Sequence, residues 1–387
     1  KQMAKINVRS PYFVNVFHAD LASAKLDIEI YAGTAHSLGH TITPTYTLSS
    51  SSVGQFGFYV NFEISNLIKD YIATGFDGNY AGTQSIANTI NVDYQVTRTL
   101  TNGTSTALTA VLGVKAFDGY GYFEDGANPE LLQGLLISNK IIIKPDDSPL
   151  RIPVDANNTT SVSFFYNNQE IYTQAVASQT DSKDYIQYIS NETQSGADSY
   201  EDRVLQDGGT FENSQCLNNF LAQNGIYGVD EVYVDGVEGV TRLEVRNIDE
   251  CKHTPYKMVF VNKYGALQDL WMFKRSNLSM KKDEESFRSS TLLSATGTYN
   301  TFDHQYKTFN INAKETLTLN TGFYPEEYNE IFRQFTLSEL VWIEYDNKTL
   351  PVTVKSSDLS FQTQLNDKLI NYTIQVEFAF DKINSVR

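Results

Sequence analysis

Between residues 370 and 381 the chain alternates strictly. Ile370, Tyr372, Ile374, Val376, Phe378 and Phe380 interleave with Asn371, Thr373, Gln375, Glu377, Ala379 and Asp381. Strand side chains point to opposite faces with period two, so this pattern dictates one apolar face and one polar face and is incompatible with a helix. It predicts a long antiparallel strand in a sandwich or barrel. The same alternation recurs upstream. Leu26, Ile28 and Ile30 alternate with Lys25, Asp27, Glu29 and Tyr31; Phe58, Val60, Phe62 and Ile64 share one face, as do Val92, Tyr94 and Val96, and Val162, Phe164 and Tyr166. With 24 Tyr and 23 Phe among 387 residues, the chain is also rich in side chains suited to pleated, half-buried surfaces. The expected fold class is mainly β: two or three sandwich-like or barrel-like domains with a few short helices.

Breaks in the pattern suggest the domain organisation. The run Lys144-Pro145-Asp146-Asp147-Ser148-Pro149 sets two prolines around two acids, a composition that a central strand does not tolerate. It predicts an N-terminal domain over 1–145. A middle β region follows over 146–250, with Asn167-Asn168 as a hairpin turn and a long polar loop over 173–210. A C-terminal β domain is expected over 251–387. In it, 258–262 and 267–273 form a hairpin around Tyr264-Gly265-Ala266, which puts Trp271 in the core. Two helices are legible. Ile64, Leu67, Ile68 and Tyr71 recur at helical spacing, predicting a short helix over 65–73. Pro325 followed by Glu326 and Glu327 opens another over 325–337, with Tyr328, Ile331, Phe332 and Phe335 as its buried stripe.

Charge and motifs narrow the function classes. A formal charge of −16 opposes direct nucleic-acid binding and docking on an anionic membrane, both of which need clustered Lys and Arg. No apolar run approaches the roughly 18 residues of a membrane span. No Gly-x-Ser-x-Gly elbow, His-Glu-x-x-His pair or phosphate-binding Gly-rich loop occurs, so no catalytic or cofactor-binding residue is assigned and no enzyme is expected. His36 and His40 have the spacing of two ligands on one helix face, but Gly33, Gly39 and the Ser and Thr around them predict a loop. Cys251-Lys252-His253 with Cys216 offers three ligands where a structural zinc site takes four. No metal site is assigned from either set. Cys216 and Cys251 are expected to be free thiols. The acidic turns at Asp118, Asp125, Asp146 and Asp235 match no calcium loop and read as turn chemistry.

Two segments carry a family resemblance. Phe260-Val261-Asn262-Lys263-Tyr264-Gly265-Ala266-Leu267-Gln268-Asp269-Leu270-Trp271 resembles a stretch in virion structural proteins of tailed bacteriophages, notably those of marine and Bacteroidetes hosts. So does Leu319-Asn320-Thr321-Gly322-Phe323-Tyr324-Pro325-Glu326-Glu327-Tyr328-Asn329-Glu330, continuing to Leu337-Ser338-Glu339. The resemblance covers part of the C-terminal third and carries no functional residues over. It implies a tail, baseplate or head-to-tail component, assembled in the host cytoplasm, whose partners are further copies of itself and neighbouring virion proteins. An acidic β-rich chain without an active-site motif suits such a subunit. The alternatives are a module binding host-surface glycans, which calls for exposed aromatic rings beside carboxylates, and a glycan-degrading enzyme, which calls for two carboxylates in a groove.

Overall fold

A computed structural model of the chain describes residues 5–52, 59–78, 89–129, 134–146, 148–182, 185–190, 229–290, 292–293, 297–355 and 369–383. The protein is mainly β, as the alternation predicts. Among the described residues no helix is long and apolar enough to cross a membrane. The chain forms two compact units. The first comprises Lys1–Asp249, Val259–Leu270 and Glu330–Ser338, and the second Glu250–Met258, Trp271–Asn329 and Glu339–Arg387.

The first unit holds two sandwich-like cores. In the first core, strands run in the order Lys5–Asn7, Val111–Phe117, Thr89–Leu100, Leu21–Tyr31, Tyr46–Ser51. Leu26, Ile28, Ile30, Val92 and Val96 supply its inner face. Val14, Val16, Val60 and Phe62, from the paired strands Phe13–Phe17 and Tyr59–Glu63, close over them together with Ile68 of the short helix Ser65–Lys69. In the second core, Gln169–Ala175, Thr159–Tyr166, Glu231–Gly236, Gly239–Ile248 and Ile141–Pro145 form one sheet, and Arg151–Asp155 pairs with Ile186–Ser190 opposite it. Val162, Phe164, Val232, Val234 and Leu243 pack there against Ile152, Val154 and Ile189. Asn167 and Asn168 both have positive φ (53° and 62°), the hairpin conformation expected of that pair.

The expected joint at 145/146 falls inside this first unit. Pro145 ends an edge strand, where its missing N–H costs no ladder bond. Buried polar contacts bind the two cores together. Lys5 forms an ion pair with Asp155, 150 residues away, with both side chains almost wholly buried. Lys115 Nζ donates to the Thr180 carbonyl (3.1 Å). The polar stretch expected as a loop over 173–210 is also partly strand: Ile186–Ser190 is buried along its length, and Gln169–Ala175 runs into the start of the stretch. Residues 191–210 lie outside the described residues.

The turn after Val261 and the C-terminal helix belong to this unit as well. Asn262 Oδ1 accepts from the Tyr264 and Ala266 amides (3.0 and 3.1 Å), and its Nδ2 reaches the Leu136 carbonyl (2.7 Å). Gly265 takes φ +76°, where an added Cβ would meet the Asp118 backbone at 3.0 Å. The helix Asn329–Leu337 buries Ile331, Phe332 and Phe335, with Phe335 edge-on to Phe260. Gln334 Nε2 donates to Ser138 Oγ (2.7 Å). These buried contacts explain why 259–270 and 330–338 group with the N-terminal chain and not with the remainder of 251–387.

In the second unit the strand order is Val341–Tyr345, Lys348–Val354, Thr373–Phe378, Tyr306–Asn320, Lys274–Arg288. The strand expected over 370–381 is interrupted. Leu369–Ile370 pairs with Tyr324–Pro325, and Asn371-Tyr372 leaves the ladder so that the Tyr372 amide donates to Thr321 Oγ1 (2.9 Å). Ile370, Tyr372, Ile374, Val376 and Phe378 are buried as the alternation requires, but Phe380 lies past the strand end and is 41% exposed. Trp342 is buried, whereas Trp271, expected in the core, is only half-buried.

Candidate functional site: a bared β-ribbon and a histidine–carboxylate cluster

Strands Lys274–Arg288 and Tyr306–Asn320 pair over nearly their whole length, from Lys274 opposite Asn320 to Arg288 opposite Tyr306. Thr373–Phe378 covers only the base of this ribbon, at 316–320, and Lys382 and Ile383 follow it as far as Ala313 and Asn312. Beyond that, no strand lies alongside among the described residues, which leaves roughly 20 Å of ribbon bare. Opposed residues in an antiparallel pair point to the same side. One side therefore carries Leu278 with Leu317, Met280 with Glu315, Lys282 with Ala313 and Glu284 with Ile311. A register shift between Glu285 and Ser286 leaves Phe309 without a ladder partner, its ring 6.2 Å from that of Phe287. The other side carries Ser279, Lys281, Asp283 and Asn310. Apolar and charged residues thus share the ribbon, and Met280 (62%), Phe287 (49%), Phe309 (63%) and Ile311 (42%) are exposed. A lone two-stranded ribbon is marginal in water, and an open strand edge beside exposed apolar side chains is a ready pairing surface. Past the ribbon, Tyr299 and Phe302 are exposed beside Asp303.

The second feature lies on the polar side of the N-terminal sheet. Glu29 of strand Leu21–Tyr31 sits directly opposite Asp93 of strand Thr89–Leu100. Like charges facing each other across a ladder are destabilising unless something neutralises them. The connection from Tyr31 to Tyr46 brings two imidazoles to this pair. His36 Nδ1 lies 2.8 Å from Asp93 Oδ2, and His40 Nε2 lies 2.9 Å from Glu29 Oε2. The rings of Tyr31, His36 and His40 stack in series, with centroids 3.9 and 3.6 Å apart. One donor atom from each of Glu29, His36, His40 and Asp93 falls within 4.8 Å of the others.

The carboxylates are held from behind. Asp93 is fully buried; its Oδ1 accepts from the Tyr31 hydroxyl (3.1 Å) and the Gly113 amide (2.5 Å), so Oδ2 is turned to the imidazole. The Thr43 amide donates to Glu29 Oε2 (3.0 Å). Burial pushes the Glu29 carboxyl up, but the Thr43 amide and His40 outweigh it and hold Glu29 below the usual glutamate range. Burial, with Asp93 beside it, raises the Tyr31 phenol. The loop is anchored too. Asn91 Nδ2 donates to the Gly33 carbonyl (2.6 Å), the Ser182 amide to the same carbonyl (3.0 Å), and the Ala35 amide to Thr180 (3.1 Å).

The loop reading of His36 and His40 is correct, and the loop brings them together without a helix. The two acids were not legible as partners, because a register pairing 64 residues apart leaves no local signal. Cys251 is exposed, and Cys216 lies outside the described residues. Two of the acidic turn residues are engaged in the fold. Asp118 takes both oxygens to Arg9 (2.6 and 3.0 Å), and Asp125 Oδ2 accepts from the Tyr122 amide (2.8 Å). Comparison of the chain with protein-family models gives no match, and a search of the curated proteins gives none either.

Proposed function

We propose that this chain is a structural component of a tailed-phage virion, in the tail, baseplate or head-to-tail region, and that it works by subunit–subunit assembly. The observation that carries the reading is the ribbon Lys274–Arg288/Tyr306–Asn320, which among the described residues has an open edge and exposed Met280, Phe309 and Ile311. Its occupant is a neighbouring copy of the chain, which can add a strand along the open edge and remove Phe309 and Ile311 from water. The resemblance of 260–271 and 319–339 to virion structural proteins supports the particle context. The charge of −16 keeps subunits soluble until that edge is paired. Assembly takes place in the host cytoplasm, and neighbouring virion proteins are the further partners.

Native mass measurement and electron microscopy test this. The protein is expected to form closed rings, or to copurify with particles. The double substitution F309S/I311S is expected to leave monomers with an unchanged circular-dichroism spectrum. A parent protein that stays monomeric at high concentration and is absent from purified particles overturns the proposal. The exposed Tyr299 and Phe302 beside Asp303 favour a second reading, contact with a host-surface glycan, which a glycan array tests. The Glu29–Asp93 pair does not favour a glycosidase, because no surface of Asp93 is open to a substrate.

A further inference from the structure

We propose that Glu29, His36, His40 and Asp93 form a binding site for one divalent transition-metal ion of the zinc class. Two imidazoles and two carboxylates are the donor set that such ions take, whereas calcium and magnesium prefer all-oxygen sites. The four donor atoms already lie within 4.8 Å of one another. A tetrahedral ion with ligands at about 2.1 Å needs its donors roughly 3.4 Å apart, so the gathering closes with side-chain adjustments of about an ångström.

Three features distinguish this site from a chance meeting of polar side chains. The two acids face each other across one ladder, and a bound dication cancels their charge. The far oxygen of Asp93 is already occupied by Tyr31 and Gly113, and Thr43 supports Glu29, which is the outer-shell support that ligating carboxylates receive in metal sites. The stacked rings sit on a loop pinned at Gly33 and Ala35, so little ordering remains to be done on binding. His36 and His40 stay about a quarter exposed, which leaves a route for entry. The site differs from the ribbon in both sequence position and chemistry, so it stands or falls independently of the assembly reading.

The test uses the full chain stripped with a chelator and titrated with zinc chloride, followed by isothermal calorimetry and by the melting temperature. One equivalent is expected to bind, with a rise in melting temperature, and cobalt(II) in its place is expected to give the intense visible bands of a tetrahedral site. His40→Ala, at a partly exposed loop position, is expected to weaken binding about 100-fold or more while the circular-dichroism spectrum stays that of the parent. Glu29→Gln is expected to weaken it as well. A chain that takes up no zinc equivalent, or one whose zinc affinity is unchanged in both His40→Ala and Glu29→Gln, overturns the proposal. Weakening in His40→Ala with no effect of Glu29→Gln shows adventitious histidine binding and overturns it too.

Discussion

Two long antiparallel pairs in this protein use the same alternation to opposite ends. In the pair Leu21–Tyr31 and Thr89–Leu100 the apolar side is covered, with Leu26, Ile28 and Val92 inaccessible, and chemistry collects on the polar side, where Glu29 meets Asp93. In the ribbon Lys274–Arg288 and Tyr306–Asn320 the side that carries Leu278, Met280 and Ile311 also carries Lys282, Glu284 and Glu315, and among the described residues its outer half is left open. Period two specifies that a strand has two faces. It does not specify which face the rest of the chain will cover, and that choice decides whether a pair becomes a scaffold for a polar site or a surface for docking.

The contrast can be broken most severely at the buried ion pair that ties the N-terminal sheet to the second core. Lys5→Met leaves Asp155 buried without its cation, and a loss of about 3–5 kcal/mol in urea-denaturation stability is expected. A loss under about 1 kcal/mol would mean that Asp155 finds another partner. Next comes the covered apolar side: Leu26→Ala, at a position with no accessible surface, should cost about 2–5 kcal/mol.

Lys115 sharpens the polar side. Burial drives its ammonium down to about 8, against the pull of Asp181 and Asp93. The unfolded chain keeps that proton to its ordinary value of 10.5, so between these limits the unfolded state binds more protons and native stability rises with pH. In metal-free protein, the stability of Lys115→Met relative to the parent should therefore fall between pH 7 and pH 9.5, by at most about 2 kcal/mol. Paired denaturation curves with no pH-dependent difference would place the Lys115 charge in a solvated setting.

The smallest effect belongs to the bare ribbon. Phe309→Ala should change the stability of the isolated chain by no more than about 0.5 kcal/mol, because 63% of the residue is already in water. A large loss in the monomer would show that the Phe309 ring is covered within the chain.

Legibility followed locality. The alternation at 26–30, the turn at Asn167-Asn168 and the stripe Ile331, Phe332 and Phe335 were readable because their causes lie within a few residues of one another. The ribbon was not read, although Phe309, Ile311, Ala313, Leu317 and Leu319 alternate. Its partner strand runs through Lys281, Lys282, Asp283, Glu284 and Glu285, which resembles a solvated charge run more than a strand. The helix at 329–337 was found, but its grouping with the N-terminal chain was not, since Gln334 to Ser138 and Phe335 to Phe260 are contacts between distant segments. Half of the metal cluster was visible as His36 and His40, and the other half was hidden in the register of two strands.

The amino-acid sequence by itself determined the β character of the chain, the two-faced nature of its strands and the places where turns interrupt them, because those properties arise from side-chain direction and local backbone preference. Tertiary structure alone decided which faces meet solvent, that Glu29 stands opposite Asp93 beneath a pinned loop, and that the ribbon runs on past the strands that cover its base. These depend on the pairing of segments tens to hundreds of residues apart, and such pairing is set by the summed burial of the whole chain, not by any local pattern.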